Sequence, residues 1–137
     1  MDVHEPEVRS YNMSQIKGKD TKPEMLVRKF LFSKGFRYRL HVKNLPGKPD
    51  IVLPKYKTVI FVHGCFWHGH EGCKYFVVPN TRTDWWLNKI NINRTNDERS
   101  NSLLGKENWK IMILWECELK PGVVEKTLQS LMHNLLK

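Results

Sequence analysis

Hydrophobic and polar positions divide the chain into helical and extended segments. Thr21 and Glu24 are spaced as a capping box, and apolar residues recur behind them at helical spacing, so we predict a helix that ends near Gly35. A long polar helix is predicted after a cap at Thr83 or Asp84. A third helix is predicted by the apolar positions Val124, Leu128, Leu131 and Leu135.

Extended segments lie between these helices. Residues 36–40 alternate like a strand, and residues 50–53 and 57–63 suit a pair of strands around the turn at 54–56. The second of the pair is nearly all apolar, as expected of a central strand that is covered on both faces. Residues 109–115 predict another core strand. Helices that alternate with buried strands indicate an α/β domain with a mixed sheet.

Composition and charge narrow the class of partner. The 137 residues carry 23 Lys and Arg against 14 Asp and Glu, a formal net charge of +9, which favours a polyanionic partner. No apolar run is long enough to span a membrane, and the first residues lack the pattern of a signal peptide, so we expect a cytoplasmic protein. Three cysteines in that compartment favour metal ligation or buried thiols over disulfides.

The cysteines have the pattern of a zinc site. Cys65, His70 and Cys73 lie within nine residues, and Cys117 follows the last predicted strand. Three thiolates and one imidazole suit tetrahedral Zn²⁺ and form a standard closed structural set. His68 is an alternative to His70 as the nitrogen ligand. The alternative to a metal site is three buried, reduced cysteines.

A carboxylate and two histidines are expected at one edge of the sheet. Asp50 begins one strand, His63 ends its expected partner, and His68 lies in the loop beyond. Hydrolysis of a phosphodiester needs a metal to neutralise charge and a base to activate water; Asp suits Mg²⁺, and neutral His can be the base. The alternatives are a turn carboxylate and solvated or packing histidines. For Glu24, the capping box is an adequate structural explanation.

Aromatic and basic residues supply a candidate DNA-binding surface. Phe66 and Trp67 lie inside the predicted metal loop, which would hold them rigid, and flat side chains can stack on bases or wedge between base steps. The alternative is core packing, which we expect for Trp85. A candidate phosphate-binding face on the second helix contains Arg82, Lys89 and Arg94.

Several blocks of the chain, in order, resemble the very-short-patch repair endonucleases, the Vsr family. They are Asn12-Met13, Asp20-Thr21, Leu45-Pro46-Gly47-Lys48-Pro49-Asp50, His63-Gly64-Cys65-Phe66-Trp67-His68, Pro79-Asn80-Thr81-Arg82-Thr83 and Trp115-Glu116-Cys117. The resemblance implies a restriction-endonuclease-like fold with helices flanking a mixed central sheet, an N-terminal DNA-contacting arm at residues 1–20, and one catalytic domain at 21–137. It implies nicking of double-stranded DNA 5′ of the thymine in T·G mismatches, which arise when 5-methylcytosine deaminates.

The resemblance also implies roles for individual residues. Asp50 would bind a catalytic Mg²⁺ together with the main-chain carbonyl of Val62. His68 would be the general base, His63 would support the scissile phosphate, and Glu24 matches an acidic residue near the catalytic centre. The ligands of a structural Zn²⁺ would be Cys65, His70, Cys73 and Cys117. The residues that wedge into DNA would be Phe66, Trp67, Trp86 and Met13.

The chain departs from the usual restriction-nuclease motif, whose second acid and lysine are replaced by Val62 and Gly64. The base role therefore falls to His68. The family expectation adds mismatch-repair proteins and a cytosine-5 methyltransferase as companions at the bacterial nucleoid, and a monomer suffices for a single nick. Two alternatives stay open: a nuclease of this fold that cuts matched DNA, and a zinc-stabilised DNA-binding module without catalysis.

Overall fold

The computed structural model describes residues 20–137, so Met13 and nearly all of the expected N-terminal arm lie outside the described range. Within it the elements follow in the order α1 (Lys22–Ser33), β1 (Ile51–Leu53), β2 (Thr58–His63), α2 (Thr83–Lys106), β3 (Lys110–Trp115) and α3 (Val124–Leu135). Short 3₁₀ helices follow β1 at Pro54–Tyr56 and β3 at Glu116–Leu119. Among the described helices, none has the length and apolar composition needed to cross a membrane. The mixed α/β class is confirmed.

The sheet is built around β2. This strand pairs antiparallel with β1, where Ile51 lies opposite Ile60, and parallel with β3, where His63 lies opposite Trp115. Five of its six residues are buried, which confirms the prediction of a strand covered on both faces. The parallel pairing brings the ends of β2 and β3 to the same edge of the sheet.

Successive residues of β2 belong to two separate hydrophobic clusters. Ile60 is in the larger cluster, with Val27 of α1 and Leu131 of α3. Val59 is in the smaller cluster, with Leu104 of α2. Because neighbouring side chains on a strand point to opposite faces, β2 separates the two clusters. Each fully buried aliphatic side chain among them contributes about 1.5–3 kcal/mol.

The predicted start and end of α1 are confirmed. Oγ1 of Thr21 accepts a hydrogen bond from the N–H of Glu24 at 3.4 Å. At the other end, Gly35 has φ 84° and the N–H of Phe36 donates to the carbonyl of Leu31 at 3.0 Å. This left-handed glycine with its backward hydrogen bond is a Schellman motif. It ends the helix where the sequence predicts.

The strand predicted at residues 36–40 is wrong. The segment makes a single antiparallel bridge, between Arg39 and Val52. The next residue but one, His41, has φ 57°, a left-handed conformation that a strand does not contain. The chain therefore leaves the edge of β1 after one pair of hydrogen bonds.

The cap predicted for α2 is also wrong. Thr83 is the first residue of the helix, and Arg82, with φ 57°, stands at the cap position. The hydroxyl of Thr83 donates instead to the carbonyl of Pro79 at 2.9 Å. The Thr83 hydroxyl therefore closes the preceding turn and does not cap the helix. Asp84 lies inside the first turn, where its negative charge interacts favourably with the positive end of the helix dipole.

Candidate active site and metal centre

A cleft of about 940 Å³ opens where β2 ends. Its walls come from the start of α1, the loop before β1, the loop after β2 and one face of α2. The cleft brings together the four residues predicted to be catalytic, with one carboxylate that was not predicted: Glu24, Asp50, His63, His68 and Asp97. Side chains from four separate parts of the chain therefore share one solvent-accessible space.

Asp50 is held against β2 by the backbone. Its Oδ2 accepts a hydrogen bond from the N–H of Val62 at 2.6 Å, and its own N–H donates to the carbonyl of Ile60 at 3.1 Å. Burial raises the pKa of Asp50 from 3.8 to about 7; the Val62 N–H opposes this, and the neighbouring Glu24 carboxylate adds to it. A divalent cation would offset both the cost of burying the ionised Asp50 carboxylate and its repulsion from Glu24. The carboxylate pair therefore suits a hard metal ion such as Mg²⁺.

Glu24 is almost fully buried beside Asp50, with 2% of its surface exposed. Its Oε2 accepts from Nη2 of Arg28 and from the N–H of Asp20, both at 3.0 Å. The predicted capping box is therefore half formed, because the reciprocal bond goes to Asp20 and not to Thr21. Arg28 compensates the charge of a carboxylate that burial would otherwise destabilise strongly.

His63 and His68 lie face to face in the cleft. Their ring centroids are 3.8 Å apart and the rings are within 2° of parallel. Burial, and then the neighbouring His68, lower the pKa of His63 to about 4, so His63 is neutral near pH 7. Among residues 20–137, its buried Nδ1 has no hydrogen-bond partner, which is typical of a site that a substrate completes.

Asp97 is the functional candidate that sequence reasoning missed. Its Oδ2 lies 2.6 Å from Nδ1 of His68, across 29 residues of sequence. A carboxylate at Nδ1 holds that nitrogen as the donor and leaves Nε2 as the acceptor. The signal was present: Ile90 and Leu104 are the buried residues of α2, and Asp97 lies seven residues from each. Two helical turns place all three on one face.

A second cluster forms on the other side of the same loop. One donor atom from each of Cys65, His70, Cys73 and Cys117 lies within 4.8 Å of all the others. Sγ of Cys117 is 3.5 Å from Nδ1 of His70, and a tetrahedral zinc site has ligand–ligand edges of about 3.3–3.8 Å. This Cys₃His cluster, called the metal cluster below, could hold a metal ion such as zinc. Of the two histidines considered, His70 joins the cysteines and His68 does not.

The surroundings of the cluster also suit a metal. The ring of His70 stacks on Trp115 with centroids 4.0 Å apart, which fixes its orientation. Burial raises the pKa of the Cys65 thiol to about 12, whereas the backbone N–H of Tyr75 lowers that of Cys73. Three neighbouring thiols cannot all ionise without a cation, and a bound dication would supply the missing charge.

The described members of the predicted wedge form one aromatic cluster. Phe66 lies 5.4 Å from both Trp67 and Trp86, and Trp67 lies 5.9 Å from Trp86, measured between ring centroids. All three are half-buried. Trp85, expected in the core, is instead 46% exposed and makes an edge contact with Trp86. The reason is that α2 turns its Ile90 face inward, which leaves Trp85 outside.

Arg94 does not belong to a solvated phosphate-binding face. Arg82 and Lys89 are exposed as predicted, but the guanidinium of Arg94 donates to the carbonyl of Gly69 through both Nε and Nη2. The prediction for Arg94 is therefore wrong. Its side chain is used within the protein, between α2 and the loop that carries the two histidines.

Comparison with known proteins gives a consistent family. The family described as DNA mismatch endonuclease Vsr matches residues 1–74. A type II nicking enzyme from Xanthomonas oryzae pv. oryzae is 48% identical over 128 residues, which cover 93% of each chain. A type II nicking enzyme from Neisseria meningitidis serogroup A is 52% identical over 119 residues, 87% of this chain and 84% of its own. The DNA mismatch endonuclease Vsr of Escherichia coli is 44% identical over 119 residues, 87% of this chain and 76% of its own.

Proposed function

Because this chain belongs to the Vsr family of DNA mismatch endonucleases, we propose that it makes a Mg²⁺-dependent nick in one strand, 5′ of the thymine in a T·G mismatch. One observation carries the proposal. A single cleft joins the Asp50–Glu24 carboxylate pair to the stacked histidines and Asp97. Two relatives are named nicking enzymes, which supports cleavage of one strand.

Asp50 and the main-chain carbonyl of Val62 would hold the Mg²⁺ in this proposal. The hydrogen bond between the Asp50 carboxylate and the Val62 N–H already aligns the two residues. The raised pKa of Asp50 supports a cation at this place, since the metal-free carboxylate is costly to ionise. When bound, the metal neutralises charge that develops on the phosphate. Glu24, fixed by Arg28, adds negative charge that strengthens the hold on the cation.

His68 is the proposed general base. Its Nε2 takes a proton from the attacking water, whose oxygen forms a new bond to phosphorus as the bond to the leaving oxygen breaks. The leaving oxygen takes a proton from solvent, and His68 returns its own proton to solvent. Asp97 accepts the Nδ1–H and stabilises the imidazolium that forms, from 2.6 Å away. His63, neutral and stacked on His68, restrains the ring and would support the scissile phosphate.

The aromatic cluster is the proposed source of mismatch selectivity. Phe66 and Trp67 line the same cleft as the catalytic groups, so a wedge at the mismatch would deliver the neighbouring phosphate to them. Unstacking costs a few kcal/mol per step and least at a weakly paired site. Met13 is proposed as a further wedge residue by family resemblance alone.

The remaining expectations concern architecture and companions. We propose a restriction-endonuclease-like catalytic domain at 21–137, with residues 1–20 as the DNA-contacting arm and zinc on the Cys₃His cluster as its structural metal. Mismatch-repair proteins and a cytosine-5 methyltransferase are proposed companions at the nucleoid. The nick needs one active site, so a monomer is sufficient.

A nicking assay tests the proposal directly. Two end-labelled duplexes that differ by one T·G pair, in several flanking contexts, are incubated with the protein and Mg²⁺. Asp50→Asn is the control, because its amide oxygen can still accept from the Val62 N–H. A single nick 5′ of the mispaired thymine, lost in the variant, is expected. Equal cutting of the matched duplex would favour an unselective nuclease, and tight binding without cutting would favour a binding module.

A further inference from the structure

The loop after β2 sends two histidines to different places within three residues. Nδ1 of His68 lies 2.6 Å from Asp97 in the cleft, whereas Nδ1 of His70 lies 3.5 Å from Sγ of Cys117 in the metal cluster. The single residue between them, Gly69, is buried and has φ 61°. The backbone conformation at Gly69 therefore determines the positions of both imidazoles, and a change in it would displace one or both.

Arg94 of α2 holds the backbone at this point. Its Nε donates to the carbonyl of Gly69 at 3.2 Å, and Nη2 donates to the same oxygen. The guanidinium also lies so close to the Cα of Gly69 that an added Cβ would collide with Nε. The planar group covers the glycine and occupies the space where any other side chain would stand.

Two further contacts extend this attachment along α2. The side-chain amide of Asn93 donates to the carbonyl of Trp67 at 2.9 Å, and Asp97 binds His68 as described. Three consecutive loop residues are thus each bound by a different residue of one helix. Arg94 is distinct because its partner lies between the cleft and the metal cluster.

Other interactions keep Arg94 in place without offering it another role. Its guanidinium carbon lies 5.3 Å from the centroid of the Phe76 ring, and Nη2 lies 3.7 Å from a carboxylate oxygen of Glu71. Glu71 is 84% exposed at its side chain and Arg94 is 31% exposed, so the ion pair is weak in water. Both contacts are longer than the hydrogen bonds to Gly69.

We infer that Arg94 is a positioning residue that couples the metal centre to the catalytic base. Through the Gly69 carbonyl it keeps His68 on Asp97 and His70 on the cysteines at the same time. The inference rests on the proposed function, in which His68 is the base and the Cys₃His cluster holds zinc. Loss of Arg94 would slow the chemical step and loosen the metal together, and would leave recognition of the mismatch intact.

Arg94→Met in the full chain tests the coupling. With T·G duplex and Mg²⁺, the single-turnover nicking rate at saturating enzyme should fall about 10- to 100-fold, since positioning groups of metal and catalytic sites act on this scale. The Kd for the same duplex in Ca²⁺ should change less than about twofold. Zinc release to the chelating dye 4-(2-pyridylazo)resorcinol should accelerate. Arg94→Lys, which keeps one donor, should recover part of both effects.

Arg99→Met is the matched control. Arg99 lies on the same helix, is exposed, and bonds to Asn96 within α2, so its loss should leave the nicking rate and zinc release unchanged. A folding defect in Arg94→Met is checked by its Tm and by cooperative unfolding, which should match those of Arg99→Met closely.

The outcomes separate this inference from the proposed function. If the unaltered protein neither nicks nor contains zinc, the proposed function fails. If it does both, and Arg94→Met nicks at its rate and releases zinc no faster, the coupling is overturned. A slower nick with unchanged zinc release, or faster zinc release with an unchanged nick, would overturn it equally, since Arg94 would then serve one site alone.

Discussion

The Cys₃His cluster and the cleft share the loop after β2 but differ in what defines them as sites. In the cluster, three thiols and one imidazole lie within 4.8 Å of one another, and their chemical identity alone indicates the ion they suit. The cleft is open, about 940 Å³ in volume, and its carboxylates and imidazoles are ordinary residues made unusual by burial. The closed cluster can thus be recognised from its residue types. The open cleft is recognised from its surroundings, which raise the pKa of Asp50 and lower that of His63.

The largest expected effect isolates the cleft from the cluster. Asp50→Asn should reduce the nicking rate by at least about a thousand-fold, because loss of several kcal/mol of charge stabilisation is expected without the metal ligand. Zinc content should stay as in the unaltered protein and Tm should not fall, since the amide can still accept the Val62 hydrogen bond and has no charge to bury. Activity within tenfold of the unaltered protein would remove Asp50 from the proposed mechanism.

The next effect tests whether His68 and Asp97 act as one unit. His68→Ala should slow nicking by about 100- to 10,000-fold, the usual range for a general base. Asp97→Asn should slow it less, by roughly 10- to 100-fold, and should add almost nothing in the His68→Ala background. Independent, multiplying effects in the double variant would show that the 2.6 Å contact has no part in catalysis.

Breaking the cluster should act first on stability. Cys73→Ser removes one soft donor, so we expect loss of zinc, measured by mass spectrometry, and a decrease in Tm of roughly 10 °C, corresponding to a few kcal/mol at this size. Nicking should fall as a consequence, since the loop also carries His68. Unchanged metal content and Tm would favour the alternative of three reduced thiols without a metal.

The smallest net effect is on the pH dependence of stability, measured by urea unfolding without added Mg²⁺, because Asp50 and His63 contribute slopes of opposite sign. The pKa of Asp50 is raised from 3.8 to about 7, so the folded state holds a proton that the unfolded chain loses, and stability falls as pH rises through this window. The pKa of His63 is lowered from 6.5 to about 4, so stability rises from about pH 4 to 6.5. Each contributes a slope of up to about 1.4 kcal/mol per pH unit.

Variants separate the two slopes. Asp50→Asn should leave a stability that rises with pH between 4 and 6.5, and His63→Gln should leave one that falls. The double variant should be nearly flat in the same window. Parallel curves for the two single variants would contradict the assigned shifts.

The mixed α/β class and part of the candidate site could be predicted, because the residues that decide them are close together in the sequence. Cys65, His70 and Cys73 are neighbours in sequence, and β2 is apolar enough to be placed in the centre of the sheet. The choice between His68 and His70 could not be made, because it depends on the turn at Gly69 and on Arg94, 25 residues away.

The partners of the loop that sequence reasoning missed, Asp97 and Arg94, lie on α2. The composition of this helix does not indicate which face is buried. The helix is polar, and its buried residues are Ile90 and Leu104, too few to mark a stripe by eye. Asp97 stands midway between them on the same face, whereas Trp85 falls outside. Once those two anchors are known, the rotation of α2 follows, and with it the partner of His68.

The parallel pairing of β2 with β3 also bears on synthesis. β2 is translated with His63 at its end, but its neighbour β3 and Cys117 of the Cys₃His cluster are translated only after the whole of α2. At roughly 5–20 residues per second, the wait lasts several seconds. In that interval β2 is paired with β1 alone, and Cys65, His70 and Cys73 are present without Cys117. The edge of the sheet that carries His63 is therefore completed only when β3 has been translated.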